Sequence, residues 1–222
     1  EQAGALDPDL ARATAGLALV HSRDVVDGWT GERSQSLHLA AELADAAAGI
    51  NPAIPQVHFV AGQVALFRGK HDKAIKLTHR ALQYSPNYAD AYALLAWIMN
   101  YAGRPEESMA ALETARRLNP IVPASYSEIL GEIYFLQGNY TAAVSSFERA
   151  LQINPAHTRA RMWLIAVLSQ NGQKGEMQWQ VSELKLLNPS FSLARLEYAF
   201  PIRNSSKRGR LLQYLRQAGL PE

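Results

Sequence analysis

The sequence predicts an all-α solenoid, about five helical hairpins in one array with C-terminal capping helices, and three observations predict it. Prolines at Pro52, Pro86, Pro120, Pro155 and Pro189 stand 34, 34, 35 and 34 residues apart. Each but the first is preceded, 17 residues upstream, by a glycine: Gly69, Gly103, Gly138 and Gly172. Small residues recur in the same register, with Ala47, Ala81, Ala115 and Ala150 five before a proline, and Ala40, Ala74, Ser108 and Ala143 twelve before it. A fixed period with small side chains at fixed slots marks a helix-turn-helix array, because small side chains let neighbouring helices approach closely.

Taken in order, the chain reads as a single array over 1–222. Pro8 opens the first unit, 11–54, whose first helix carries Ala11, Ala13, Ala15 and Ala18. Pro8 and Pro52 are 44 residues apart, ten more than the period, and the surplus is expected as a surface insertion near 22–34, where Asp24, Asp27, Gly28 and Gly31 break helical periodicity; Trp29 is expected to pack back on the helices. Four repeats follow at 55–88, 89–122, 124–157 and 158–191. In each, the glycine ends the first helix (A) in a left-handed turn, and a proline stops the second (B) or opens the next A. Pro123 accounts for the one spacing of 35. The fifth repeat carries Ile165, Met177 and Leu184 where its neighbours carry small residues, as expected where an array ends. Residues 192–222 form a capping segment, two helices over 192–200 and 209–219 separated by Pro201 and the polar Asn204-Ser205-Ser206; its basic residues Arg203, Lys207, Arg208, Arg210 and Arg216 read as a solvated cap face.

The repeat at 124–157 resembles the tetratricopeptide repeat, whose landmarks fall on Leu130, Gly131, Tyr134, Ala143, Phe147, Ala150 and Pro155. The resemblance covers 11–191 and implies a right-handed solenoid. The capping segment is similar to the one that closes the repeat regions found C-terminal to bacterial adenylate cyclase domains and related transcriptional sensors, which implies a further domain upstream of Glu1.

Composition narrows the function classes. Hydrophobic residues make up 48% of the 222 and charged ones 19%, ordinary for a folded protein and too apolar for disorder. A net charge of +2 argues against a dedicated nucleic-acid surface. The absence of cysteine excludes disulfides, thiolate catalysis and cysteine-ligated metals. No apolar run reaches the ~18 residues of a membrane span, so a soluble protein is expected, with the compartment open between bacterial cytoplasm and periplasm. The histidines His21, His38, His58, His71, His79 and His157 form no metal-binding spacing, and neither a metal nor a cofactor is expected. Arg68-Gly69-Lys70 lacks the frame of a phosphate loop and reads as an interhelix turn. Glu128 and Glu132 share a helix face at i, i+4, but no nucleophile or opposing acid accompanies them, and no catalytic residue is assigned. The sequons at Asn139 and Asn204 read as accidental.

By the resemblance, positions 2, 5, 9, 12 and 13 of each repeat face the concave groove. Those slots hold Phe59, Gln63 and Phe67 in the second repeat, Trp97, Asn100 and Tyr101 in the third, Glu128, Glu132 and Phe135 in the fourth, and Met162 in the fifth, where Arg159 also falls. Apolar side chains are costly to leave in water, at about 25 cal/mol per Å², so an aromatic stripe with polar neighbours suits an apolar anchor. Two readings follow: a non-catalytic module presenting this groove to a protein or peptide, or a carrier or sensor of the bacterial envelope that binds an apolar small molecule or lipid there. A chaperone-type carboxylate clamp is disfavoured, because its Lys and Asn slots hold Phe59 and Gln63, Ala93 and Trp97, and Glu128 and Glu132.

Overall fold

The structure is a computed structural model that describes residues 7–26, 32–196 and 199–222. Among them the chain forms helices only, twelve in all. Five antiparallel pairs make the array: α1 (Pro8–Val26) with α2 (Arg33–Ile50), α3 (Pro55–Phe67) with α4 (His71–Tyr84), α5 (Ala89–Tyr101) with α6 (Pro105–Leu118), α7 (Ala124–Gln137) with α8 (Tyr140–Ile153), and α9 (Thr158–Gln170) with α10 (Lys174–Leu187). The odd-numbered helices touch one another in sequence along the inner layer. Of the stretch read as an insertion, Ser22 to Val26 continue α1, whose Val25 and Val26 are buried, and Arg33 opens α2; Trp29 lies outside the described residues. The surplus is therefore taken up partly by longer helices, 19 and 18 residues against 13 or 14 in later repeats.

The comb of glycines and small residues works as its spacing implies. Gly69, Gly103, Gly138 and Gly172 have φ between 69° and 83°, the left-handed region where a side chain is strained, and each closes an A helix. Within a hairpin the small slots set the interhelix distance. A Cβ on Gly131 would lie 2.5 Å from the Phe147 ring, and one on Gly62 would lie 2.6 Å from Thr78 Oγ1. Ala40, Ala74, Ala81, Ala115, Ala143 and Ala150 have no exposed surface. The two sequon asparagines are helix caps: Asn139 Oδ1 accepts from the Ala142 amide at 3.3 Å and Asn204 Oδ1 from that of Lys207 at 3.0 Å.

The C-terminal segment departs from the expected cap. It holds a four-residue helix, α11 (Leu193–Leu196), and α12 (Ser205–Gln217), and α12 packs against α9 of the inner layer. Between them, residues 199–204 run back through the groove, so that Pro201 reaches His71 of the second repeat. All eleven residues from Thr158 to Leu168 are buried, because α9 is covered on the inner side by this strap as well as by its neighbours in the array. The close Gly131–Phe147 contact sets a pair of opposed expectations. Gly131→Ala should destabilise the chain by about 1–3 kcal/mol through overpacking, whereas Gly16→Ala, on an open face of α1, should stabilise it by about 0.5–1 kcal/mol; urea unfolding of both variants checks the contrast.

Candidate functional site

The groove is built by the inner faces of α3, α5, α7 and α9, and the residues expected to line it are covered. Phe67, Tyr101, Phe135 and Met162 are buried, as are Gln63, Asn100, Glu128 and Glu132; Phe59 and Trp97 are half-buried. Gln63 Nε2 donates to Ser22 Oγ of α1 at 3.2 Å, Phe59 packs on Tyr88 with ring centroids 5.3 Å apart, and the Asn100 amide nitrogen has no hydrogen-bond partner among the described residues. Much of the cover is the chain's own strap. Phe200 meets Trp163 at 5.1 Å between centroids, Tyr214 meets Phe135 at 6.3 Å, and Ile202, Leu211 and Leu215 join the same cluster.

At the centre lies Arg159, with 1% of its surface exposed. Its guanidinium carbon sits 4.8 Å from the Trp97 ring centroid and 4.6 Å from that of Phe200, held between a groove aromatic and a strap aromatic. In the plane of the group, Nε lies 2.6 Å from Glu128 Oε1, Nη2 donates to Glu132 Oε1 at 3.1 Å and to the Tyr101 hydroxyl, and Nη1 donates to the Ala199 carbonyl at 3.4 Å. Trp97 Nε1 donates to Glu132 Oε2 at 2.9 Å, and His157 Nε2 lies 3.2 Å from Glu128 Oε2. A buried cation is tolerable only when paired and hydrogen-bonded, and here the paired acids come from α7, the rings and hydroxyl from α5 and the strap. Burial, reinforced by the neighbouring Glu128 and opposed by Arg159, pushes the Glu132 carboxyl up to about 8; burial likewise raises the Tyr101 hydroxyl well above its usual range.

The strap is also held by backbone groups that helix ends leave free. The last carbonyls of an α-helix have no intrahelical partner and carry the negative end of its dipole. At position 13 of three successive repeats that carbonyl is taken: Phe67 O by Arg33 Nη2 at 3.2 Å, Tyr101 O by the Arg203 amide at 2.8 Å, and Leu136 O by Lys207 Nζ at 2.7 Å. His71 Nε2 donates to the Pro201 carbonyl at 2.6 Å, and the Arg203 guanidinium pairs with Asp72 at 3.1 Å. The tail cations Arg203 and Lys207, read from the sequence as a solvated cap face, are thus docking groups. Arg159 is the central residue to which the sequence reading gives no role; its signal is a cation in a groove slot one repeat after Glu128 and Glu132. The groove stays open at its N-terminal end, as a cleft of about 1070 Å³ bordered by Arg33, Leu37, Phe67, Arg68, Phe200 and Arg208.

Among the described residues no cluster of three metal-ligating side chains and no helix long and apolar enough to cross a membrane is present. Two tetratricopeptide-repeat family models match the chain, one over residues 65–124 and the other over 100–158 and 130–174. The chain belongs to the tetratricopeptide repeat family. It is 27% identical over 108 residues to the DnaJ homolog subfamily C member 7 homolog of Schizosaccharomyces pombe, a match covering 44% of this chain and 23% of that protein. It is 32% identical over 107 residues to human tetratricopeptide repeat protein 7B, covering 48% and 13%. This tetratricopeptide repeat chain therefore matches less than a quarter of the length of these curated relatives. Among solved structures it is similar to PilW, described as a widely conserved type IV pilus biogenesis factor (TM-score 0.64, 19% identity, 94% of this chain and 89% of that one). It is also similar to a thermophilic tetratricopeptide repeat protein of Thermus thermophilus (0.64, 19%, 88% and 99%) and to pilF of Pseudomonas aeruginosa (0.62, 15%, 93% and 89%). At these identities the likeness is one of fold, and the repeats themselves imply a protein-interaction module.

The buried Glu132 carboxyl yields a pH dependence. Its folded value, about 8, lies above the ordinary 4.5, so the folded state holds a proton that the unfolded chain releases over that interval. The associated stability is fully present below pH ~4.5 and is lost as pH rises toward ~8. Thermal unfolding between pH 6 and 8 should show the wild-type midpoint falling relative to Glu132→Gln, which has no proton to release; parallel pH profiles for the two proteins would refute the assignment.

Proposed function

We propose that this chain is a non-catalytic protein-interaction module whose aromatic groove recognises a non-helical peptide segment carrying an aromatic residue, a proline, an aliphatic residue and a basic residue in succession. One observation carries the reading: the chain's own Phe200-Pro201-Ile202-Arg203 lies in the groove as such a segment would. Its main chain and that of the preceding Ala199 are held by His71, Tyr101 and Arg159, and Phe200 lies under the Arg159 guanidinium and meets Trp163 edge-on. The Ile202 amide donates to Phe200 O at 2.7 Å, a tight turn about Pro201 that presents Phe200 and Ile202 to the groove. In this reading Trp97, Tyr101, Glu132, Phe135 and Met162 shape the pocket, while Phe59, Gln63, Phe67, Asn100 and Glu128 border or support it.

The same burial argues against the lipid alternative, since the stripe that suggested an apolar ligand is occupied by Phe200, Ile202 and Leu215. Each such side chain contributes about 1.5–3 kcal/mol when buried, and a tethered segment competes at an effective concentration of ~mM. A partner in trans therefore gains access when the strap is weakened. A labelled peptide of residues 199–217 should bind the full-length double variant Phe200→Ala, Arg203→Ala at least ~10-fold more tightly than wild type, measured by fluorescence anisotropy. Absence of binding to the variant, with its helical circular dichroism intact, would sink this reading.

A further inference from the structure

A second surface lies on the outer side of the array, on faces of α3 that carry none of the groove residues. There α2, α3 and α4 enclose a recess of about 310 Å³. Its floor is apolar and built from small side chains, with Ala44, Ala61 and Val64 at the centre and Leu77 half-buried at one side. Its rim is cationic. Arg68, Lys70, Lys73 and Arg80 border it and are exposed, against Asp45 as the acid in the lining. Lys73 and Arg80 are seven apart on α4 with Leu77 between them, so they flank the apolar floor from one helix face. None of these four cations forms an ion pair or side-chain hydrogen bond among the described residues; Asp72, the nearest acid in sequence, is engaged by Arg203. The His58 ring at the end of the recess is held by the Pro52 carbonyl at 2.6 Å and stacks on Tyr84 at 5.5 Å. Burial, with Arg80 close by, lowers its pKa, so the positive charge of the rim comes from the four side chains named above.

We propose that this recess is a docking site for an acidic peptide segment of a partner protein, one that places an aliphatic side chain on the alanine floor and carboxylates against Lys70, Lys73, Arg80 and Arg68. Charge complementarity and shape together select this occupant. A recess at the small end of the ~300–1000 Å³ range of binding pockets accepts an anchoring side chain, whereas a flat bilayer surface meets the rim and leaves the floor empty. A single-stranded nucleic acid needs rings on which bases stack, and the rings here, His58 and Tyr84, stack on each other. Arg68 borders both this recess and the cleft at the groove's N-terminal end, whereas Lys70, Lys73 and Arg80 line the recess and not that cleft.

The test is selection of a displayed random-peptide library on the full-length protein, followed by titration of the enriched peptides against wild type and the double variant Lys73→Glu, Arg80→Glu. The site predicts enrichment of peptides with clustered Asp and Glu around an aliphatic residue, binding that weakens at least ~10-fold in the variant, and a further loss as salt rises from about 50 to 300 mM. Both substituted residues are exposed, so the variant should melt with wild type, and its binding of the strap peptide to a Phe200→Ala, Arg203→Ala background should be unchanged. That control separates failure of this site from failure of the groove reading. Enrichment of peptides without acidic residues, or acidic peptides that bind the charge-reversed variant equally well, overturns the proposal. So does tighter charge-dependent binding of phosphatidylglycerol vesicles or of oligo-dT than of any selected peptide.

Discussion

The structure depends on how one buried cation is kept neutralised. Arg159 brings a full charge into the inner layer of the solenoid, where an unpaired ion is prohibitively costly. The groups that make it tolerable come from α5, α7 and the strap, with Glu128 supplying opposite charge, Glu132 and Tyr101 accepting hydrogen bonds, and Trp97 and Phe200 supplying ring faces. No single hairpin contains these partners. Arg159 therefore couples three repeats and the C-terminus in a fold whose repeats otherwise contact only their neighbours.

That coupling explains the path of the strap. A solenoid leaves one inner face apolar and a row of helix C-termini with free carbonyls. Residues 199–217 satisfy both, covering the aromatic stripe with Phe200, Ile202, Leu211 and Leu215 while Arg203 and Lys207 take the carbonyls of Tyr101 and Leu136. The repeated use of the position-13 carbonyl, with Arg33 serving Phe67 in the same way, shows that the strap follows the periodicity of the array although its own sequence has none. Beside the filled groove, the openings that remain include the cleft at its N-terminal end and the cationic recess bordered by α2, α3 and α4.

Much of the array was legible because its determinants are local. Glycines with positive φ, small residues at interhelix contacts and prolines at helix boundaries act within a few residues of where they stand, so their spacing reports the hairpins directly. The slots of the candidate groove residues came instead from the resemblance to the tetratricopeptide repeat. Their surroundings were not legible, since Phe135 touching Tyr214, or His71 reaching Pro201 across 130 residues, leaves no periodic trace. The basic tail illustrates the ambiguity: Arg203 and Lys207 look like solvated surface until helix termini are placed beside them.

By itself, then, the sequence determined the all-helical hairpin architecture and the glycine turns that close the first helices, because these follow from short-range sterics repeated at a constant interval. Only the tertiary structure decided that the C-terminal segment folds back into the groove instead of extending the stack, and that Glu128, Glu132 and Arg159 form one buried cluster. Both outcomes turn on desolvation and charge pairing between segments distant in sequence, energies that exist only once the solenoid has set the distances between them.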